Sequence, residues 1–252
     1  MTTTTPTPEI AENGKPIFQT IWQGDSRERL TNPKLTGRVN CIITDPPFGV
    51  DNKSNMAVTK HGQDYARKIA NDENPEVAIK TFKEVMDVLC PQTSDDCDMY
   101  IFTAHQVLEE WLGVGRWLHE AHGFKRNALL VWEKDGPGMG DLEGWGMGHE
   151  IIIFLKKGRV PRYADRRNGV LHVPQLRPNQ LIHPHEKPTA LLEMLIKHST
   201  QPGDLVVDPF GGSGSLVRAC RKTRRSGIAV EYDEENFKMA MDKFKAEAGG
   251  LF

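Results

Sequence analysis

No apolar run in this 252-residue chain approaches the roughly 18 residues that a membrane-crossing helix needs, so no membrane partner is expected. The four cysteines (Cys41, Cys90, Cys97, Cys220) form no C-x-x-C pair and no disulfide-framework spacing, which fits a reducing cytosol. Cys41 falls in an apolar strand run and Cys220 in a helical pattern, so both read as small buried residues. The start, Met1 to Pro8, has neither a basic nor an apolar stretch of the kind a secretory signal carries. Residues 1–16 are expected to form a disordered tail, and 17–252 a single domain. A large excess of charge is missing too, since the formal net charge is −2. Nothing global therefore announces a nucleic-acid binder. Local clusters do exist: Lys156 to Arg167, and Arg218, Arg221, Lys222, Arg224 and Arg225. Each is either a phosphate-binding face or an ordinary solvated surface.

Short apolar runs alternate with helical stripes. Strands are expected at Ile17–Trp22, Val39–Ile43, Asp98–Thr103, Asn127–Trp132, Glu150–Leu155, Asp204–Val207 and Gly227–Val230. Helices are expected at Ser26–Leu35 (short, with a Ser cap), from Asn74-Pro75 onward, and at Val107–Ala121, Thr189–His198 and Leu216–Lys222. That order implies an α/β fold with a mostly parallel sheet, helices on both faces and an antiparallel edge hairpin at 127–155. Two stretches resist assignment. Residues 49–74 form a polar loop, and residues 156–180 are basic and interrupted by proline.

Two strand ends carry the chemistry. The first is Asp45-Pro46-Pro47-Phe48, where two prolines remove backbone donors and leave carbonyls beside a carboxylate. Acceptors next to an aromatic ring suit a planar ligand with an amino group. The plainer alternative is a strand-terminating turn with Phe48 in the core. The second is Asp208-Pro209-Phe210-Gly211-Gly212-Ser213-Gly214, followed by a helix and then a strand ending at Glu231. Glycines let the backbone approach a ligand, and an acid closing the next strand can accept both ribose hydroxyls. The turn departs from G-x-G-x-x-G and lacks the Lys-Ser/Thr of a Walker A loop. Asp208 would repel a pyrophosphate and favour a cationic ligand. Asp25 stands at a third strand end, so one shared crevice is expected.

Asp45-Pro46-Pro47-Phe48 ahead of Asp208-Pro209-Phe210-Gly211-Gly212-Ser213-Gly214, with His185-Glu186-Lys187-Pro188 between them, resembles the permuted β group of S-adenosylmethionine-dependent DNA amino-methyltransferases, which modify adenine-N6 or cytosine-N4. The resemblance implies a Rossmann-like methyltransferase fold and S-adenosylmethionine as cofactor. It further implies duplex DNA with a flipped target base as partner, in the cytoplasm of a bacterial or phage-infected cell, and it is compatible with a homodimer. Asp45 and Pro46 would accept from the target amino group, Pro47 would stiffen the turn and Phe48 would stack on the base. Asp208, Phe210, Gly211, Gly212, Ser213 and Gly214 would hold the methionine part and Glu231 the ribose. Asp25 would lie near the cofactor adenine, with His185 and Lys187 over the methionyl end. Lys187 could instead be simply solvated. No further ligand cluster accompanies His183 and His185, so no metal is expected. Residues 156–180 match the family's target-recognition region, and 49–74 would be a mobile loop near the active site. Asp at position 45 leans toward adenine. Cytosine-N4, adenine in RNA and an inactive DNA-binding module are the alternatives.

Overall fold

The computed structural model describes residues 9–50, 70–136, 143, 145–161, 163–165, 167–177, 180–181 and 186–249. Its strands are β1 (Glu9–Ile10), β2 (Pro16–Ile17), β3 (Gln19–Gln23), β4 (Val39–Thr44) and β5 (Thr93–Thr103). They continue with β6 (Lys125–Glu133), β7 (His149–Lys157), β8 (Val170–His172), β9 (Leu205–Asp208) and β10 (Ser226–Glu231). The helices are α1 (Ser26–Arg29), α2 (Pro75–Leu89), α3 (Leu108–His122), α4 (Thr189–Ser199), α5 (Ser215–Lys222) and α6 (Glu234–Gly249).

Eight strands form one sheet in the order β3-β10-β9-β4-β5-β7-β6-β8. The block from β3 to β5 is parallel, and β7 runs antiparallel to both β5 and β6. The expected hairpin is there, but β8 pairs in parallel with β6 and takes the edge position. Strand alternation makes the sheet two-sided. Ile42, Met99, Ile101, Ile153 and Leu155 join the core under α2 and α3. Cys41, Ile43, Tyr100, Phe102 and Phe154 point the other way, to α4 and α5. Both cores are fully closed at β4 and β5, where truncating Ile42 or Ile43 to alanine would cost about 2–5 kcal/mol.

The chain leaves β4 through α2 toward β5, and leaves β9 through α5 toward β10 on the opposite face. Strand order therefore reverses between β4 and β9, and the carboxyl ends of those two strands open a crevice there. Asn74 caps α2 by accepting from Val77 N at 3.0 Å, with Pro75 in the first turn, as its sequence predicts.

Three expectations change. From Glu9 the supposed tail is ordered, because β1 pairs with β2 and Arg224 Nε bonds Glu9 at 3.0 Å. Residues 1–8 lie outside the described residues. Ser26 does not cap α1; the Asp25 side chain does, and Ser26 Oγ instead donates to Pro209 O at 2.5 Å. The 218–225 cluster is not a free basic face. Arg218 is buried against Glu186 and Glu247, Arg225 donates to the Thr200 and Thr223 carbonyls, and Arg224 and Lys222 meet Glu9 and Glu193. Burial consumes Arg218 and Arg225 in holding the β9–α5–β10 unit together, while Lys222 and Arg224 stay about half-exposed.

Candidate active site

The register sets the site. Ile42 pairs with Val207, and Ala229 with Asp208, so Asp45, Asp208 and Glu231 end three neighbouring strands on one side of the sheet. Gly24 N donates to Glu231 O at 2.9 Å, which brings the end of β3 and Asp25 alongside.

The first turn is built around an ion pair. Lys187 Nζ donates to Asp45 Oδ2 at 2.5 Å and lies 3.2 Å from Glu150 Oε2. Glu150 Oε1 in turn pairs with Lys134 at 2.7 Å. The Lys187 side chain is 8% exposed, whereas those of Asp45 and Glu150 are 21% exposed, so the cation is the most deeply buried of the three. Burial alone would lower the Lys187 pKa, but the Asp45 and Glu150 carboxylates hold it above the ordinary lysine value. Burial would likewise raise Glu150, and Lys187 with Lys134 overrides this and keeps it below the usual carboxylate range.

Lys187 is aimed by its neighbours. Glu186 is buried between Arg218 and Lys243, which bonds it at 2.8 Å, and Pro188 leads directly into α4. Anchoring Glu186 on one side leaves Lys187 to project to the other. Phe48 is half-buried against both cores, and its carbonyl accepts from Trp111 Nε1 at 3.3 Å. Gly49 has φ +84° and lies against the Asn74–Pro75 backbone, where a Cβ would come within 2.3 Å, so only glycine closes the turn. Gly49 N also donates to buried Asp72 at 2.6 Å, which ties together the two ends of the 49–74 loop, whose residues 51–69 lie outside the described residues.

The second turn has no such cation. Burial pushes the Asp208 carboxyl up to about 7; the Asp45 and Glu231 charges add to the rise, while the Phe210 N–H and Thr44 hydroxyl oppose it. Burial also pushes Glu231 up to about 7, although Glu231 accepts from Gly212 N at 2.7 Å and Asp233 N at 2.8 Å. Among the described residues neither acid has a cationic partner. Gly211 N donates to Val230 O at 2.8 Å, which folds the turn against β10. A Cβ on Gly212 would meet open space, so that backbone faces the crevice bare. Gly214 has φ +68° and is pressed by Ile21, so its need for glycine is one of packing. Ser213 is buried, and Phe210 stacks on Phe82 with centroids 6.2 Å apart.

Asp25 is engaged elsewhere: both of its oxygens bond Arg27, which holds its carboxyl below the usual range, and Arg27 also bridges to Glu84 at 2.7 Å. His185 lies outside the described residues. Sequence reasoning missed Glu150 and Lys134. The available signal was the direction of β7, because an antiparallel strand delivers its first residues to the carboxyl ends of its parallel neighbours. Beside them a groove of about 600 Å³ is lined by Val131, Glu133, Lys134, Trp145, His149 and Val170. Trp145 is 97% exposed there.

A bare glycine backbone, an acid closing the neighbouring strand and a second buried acid without a cationic partner among the described residues lie together at the carboxyl ends of the strands. The fold is that of a doubly wound α/β protein, whose ligands bind at this position. A family profile described as DNA methylase (N6_N4_Mtase) matches residues 39–242, and the chain belongs to that family, whose methyl donor is S-adenosylmethionine. Type II methyltransferase M.HpaI of Haemophilus parainfluenzae is 27% identical over 239 residues, covering 84% of this chain and 70% of that protein. The crystal structure of the M1.HpyAVI–SAM complex superposes with TM-score 0.65 at 22% identity, covering 89% of this chain and 98% of that one. The cytosine-N4-specific PvuII DNA methyltransferase superposes with TM-score 0.68 at 18% identity, covering 91% and 89%. No described helix is long and apolar enough to cross a membrane.

Proposed function

We propose that this DNA methyltransferase acts on the exocyclic N6 of an adenine flipped out of duplex DNA. One observation supports the reading: Asp45 follows the carboxyl end of β4 beside Asp208 and Glu231, and its Oδ2 accepts from Lys187 Nζ at 2.5 Å. An ionised carboxylate is the stronger acceptor for a hydrogen of an aromatic amine. Asp45 and the Pro46 carbonyl would take the two amino hydrogens and localise the nitrogen lone pair, which conjugation otherwise spreads into the ring. Pro47 fixes the turn, and Phe48, anchored through its carbonyl, would stack on the extrahelical base.

S-adenosylmethionine, when bound, supplies a methyl group on a cationic sulfonium. Asp208 and the Phe210–Gly214 backbone would hold its methionyl end, and Glu231 the ribose. A positive ligand would relieve two buried carboxyls raised to about 7. Asp25 would approach the cofactor adenine only if Arg27 yields part of its hold. The nitrogen gains the methyl and loses one proton, for which Asp45 is the nearest acceptor. Asp45 in place of the serine or asparagine that the family also uses favours adenine over cytosine. Residues 156–180 and the exposed Trp145 are the surfaces proposed to meet the duplex.

Plasmid DNA treated with the protein and S-adenosylmethionine, digested to nucleosides and separated by mass, is expected to contain N6-methyladenine. Finding only 4-methylcytosine would overturn the choice of base. A mark on RNA alone would overturn DNA as the substrate.

A further inference from the structure

The chain Lys134–Glu150–Lys187–Asp45 contains one ion pair more than the acceptor role of Asp45 requires. A half-buried ion pair is a weak stabiliser, because desolvation cancels most of its Coulomb gain. The placement of Glu150 is specific all the same. It is the second residue of β7, antiparallel to β5, so its carboxylate meets the same Lys187 ammonium as Asp45, with the same 21% exposure. Lys187 lies between the two acids, with the Phe102 ring 5.1 Å from its Nζ. With Asp45 as its only anionic partner, the Lys187 ammonium would draw the carboxylate fully to itself and weaken it toward any other donor. A second carboxylate on the same ammonium divides that attraction.

We infer that Glu150 is a positioning residue for methyl transfer: held by Lys134 and sharing the Lys187 ammonium with Asp45, it sets how the Asp45 carboxylate is aimed at the target amino group and how strongly it accepts. The inference rests on the assignment of Asp45 as acceptor and adds a residue to it.

Single-turnover transfer to duplex DNA at saturating S-adenosylmethionine tests this with Glu150→Gln, Glu150→Asp, Lys134→Gln and, as a control, Asp45→Ala. Glu150→Gln keeps the shape but removes the charge and one of the two acceptor oxygens, so the transfer rate is expected to fall about tenfold or more while cofactor and DNA dissociation constants stay within about twofold. Glu150→Asp restores the charge at shorter reach and is expected to recover most of the rate. Wild-type transfer by Glu150→Gln overturns the inference, as does Glu150→Asp performing no better than Glu150→Gln, since shape would then be what matters. Should Glu150→Gln fail to melt cooperatively, Lys134→Gln decides. Slower transfer with unchanged cofactor affinity supports the inference, and an unchanged rate overturns it. Transfer by Asp45→Ala at the wild-type rate would instead remove the acceptor assignment itself, a different failure from that of Glu150.

Discussion

The two turns at the centre of the site have nearly the same sequence and opposite electrostatics. Each is an Asp-Pro at the end of a buried parallel strand with a phenylalanine close behind, and the two strands are neighbours. Asp45 has the Lys187 ammonium 2.5 Å away; Asp208 has none among the described residues, and burial raises it to about 7. The first acid is paired with an ammonium. The second is buried without one, the setting in which a cationic ligand is proposed to bind. What the rest of the chain brings to two similar turns sets them apart electrostatically.

The largest expected effect comes from breaking the first turn. Asp45→Ala should lower single-turnover methyl transfer by about 100-fold or more, in line with losing an electrostatic group aimed at the reacting atom. Calorimetry should find its S-adenosylmethionine affinity close to wild type; a parallel loss of affinity would mean that the two turns do not divide the work. Glu231→Ala is the converse test. Removing charge-assisted bonds to the ribose should weaken cofactor binding by about 10- to 100-fold and leave the rate at saturation nearly intact. An unchanged dissociation constant would take the ribose away from Glu231.

Changing pH sharpens the contrast at smaller amplitude. Asp208 and Glu231 bind protons more tightly folded than unfolded, with values near 7 against 3.8 and 4.5. The stability they contribute to the free protein is therefore complete at low pH, below their unfolded values, and is lost as pH rises through about 7. A cation binds the deprotonated forms, so S-adenosylmethionine affinity should rise roughly tenfold from about pH 6 to pH 8, and its thermal upshift should grow in step. Equal upshifts at both pH values would contradict the cation-site reading. The smallest effect is structural: Gly214→Ala forces a side chain to φ +68° against Ile21 and should cost about 1–2 kcal/mol in denaturant unfolding.

Much of this arrangement was legible beforehand. Short apolar runs at β4 and β5, alternating with helical stripes such as those of α2 and α4, indicate a two-sided sheet, because both patterns are local. Asp45, Asp208 and Glu231 could be read as strand ends for the same reason. The fate of the basic residues could not. Arg218 and Arg225 look like surface charge in a string of letters, and only the packing of α5 against Glu186 and the Thr200 segment turns them inward. The family pattern puts Asp25 near the cofactor adenine; in the fold it also caps α1 and bonds Arg27, a partner two residues away whose reach the pattern does not reveal.

By itself, then, the sequence determined the family, the order of the elements and the two Asp-Pro turns, since all three are written in short-range patterns. The tertiary structure alone decided which of those aspartates receives a cation. Lys187 lies 142 residues from Asp45, and Glu150 reaches the same point only because β7 runs against its neighbour. Charge pairing across that distance is a property of the folded sheet, and it gives two similar turns different electrostatics.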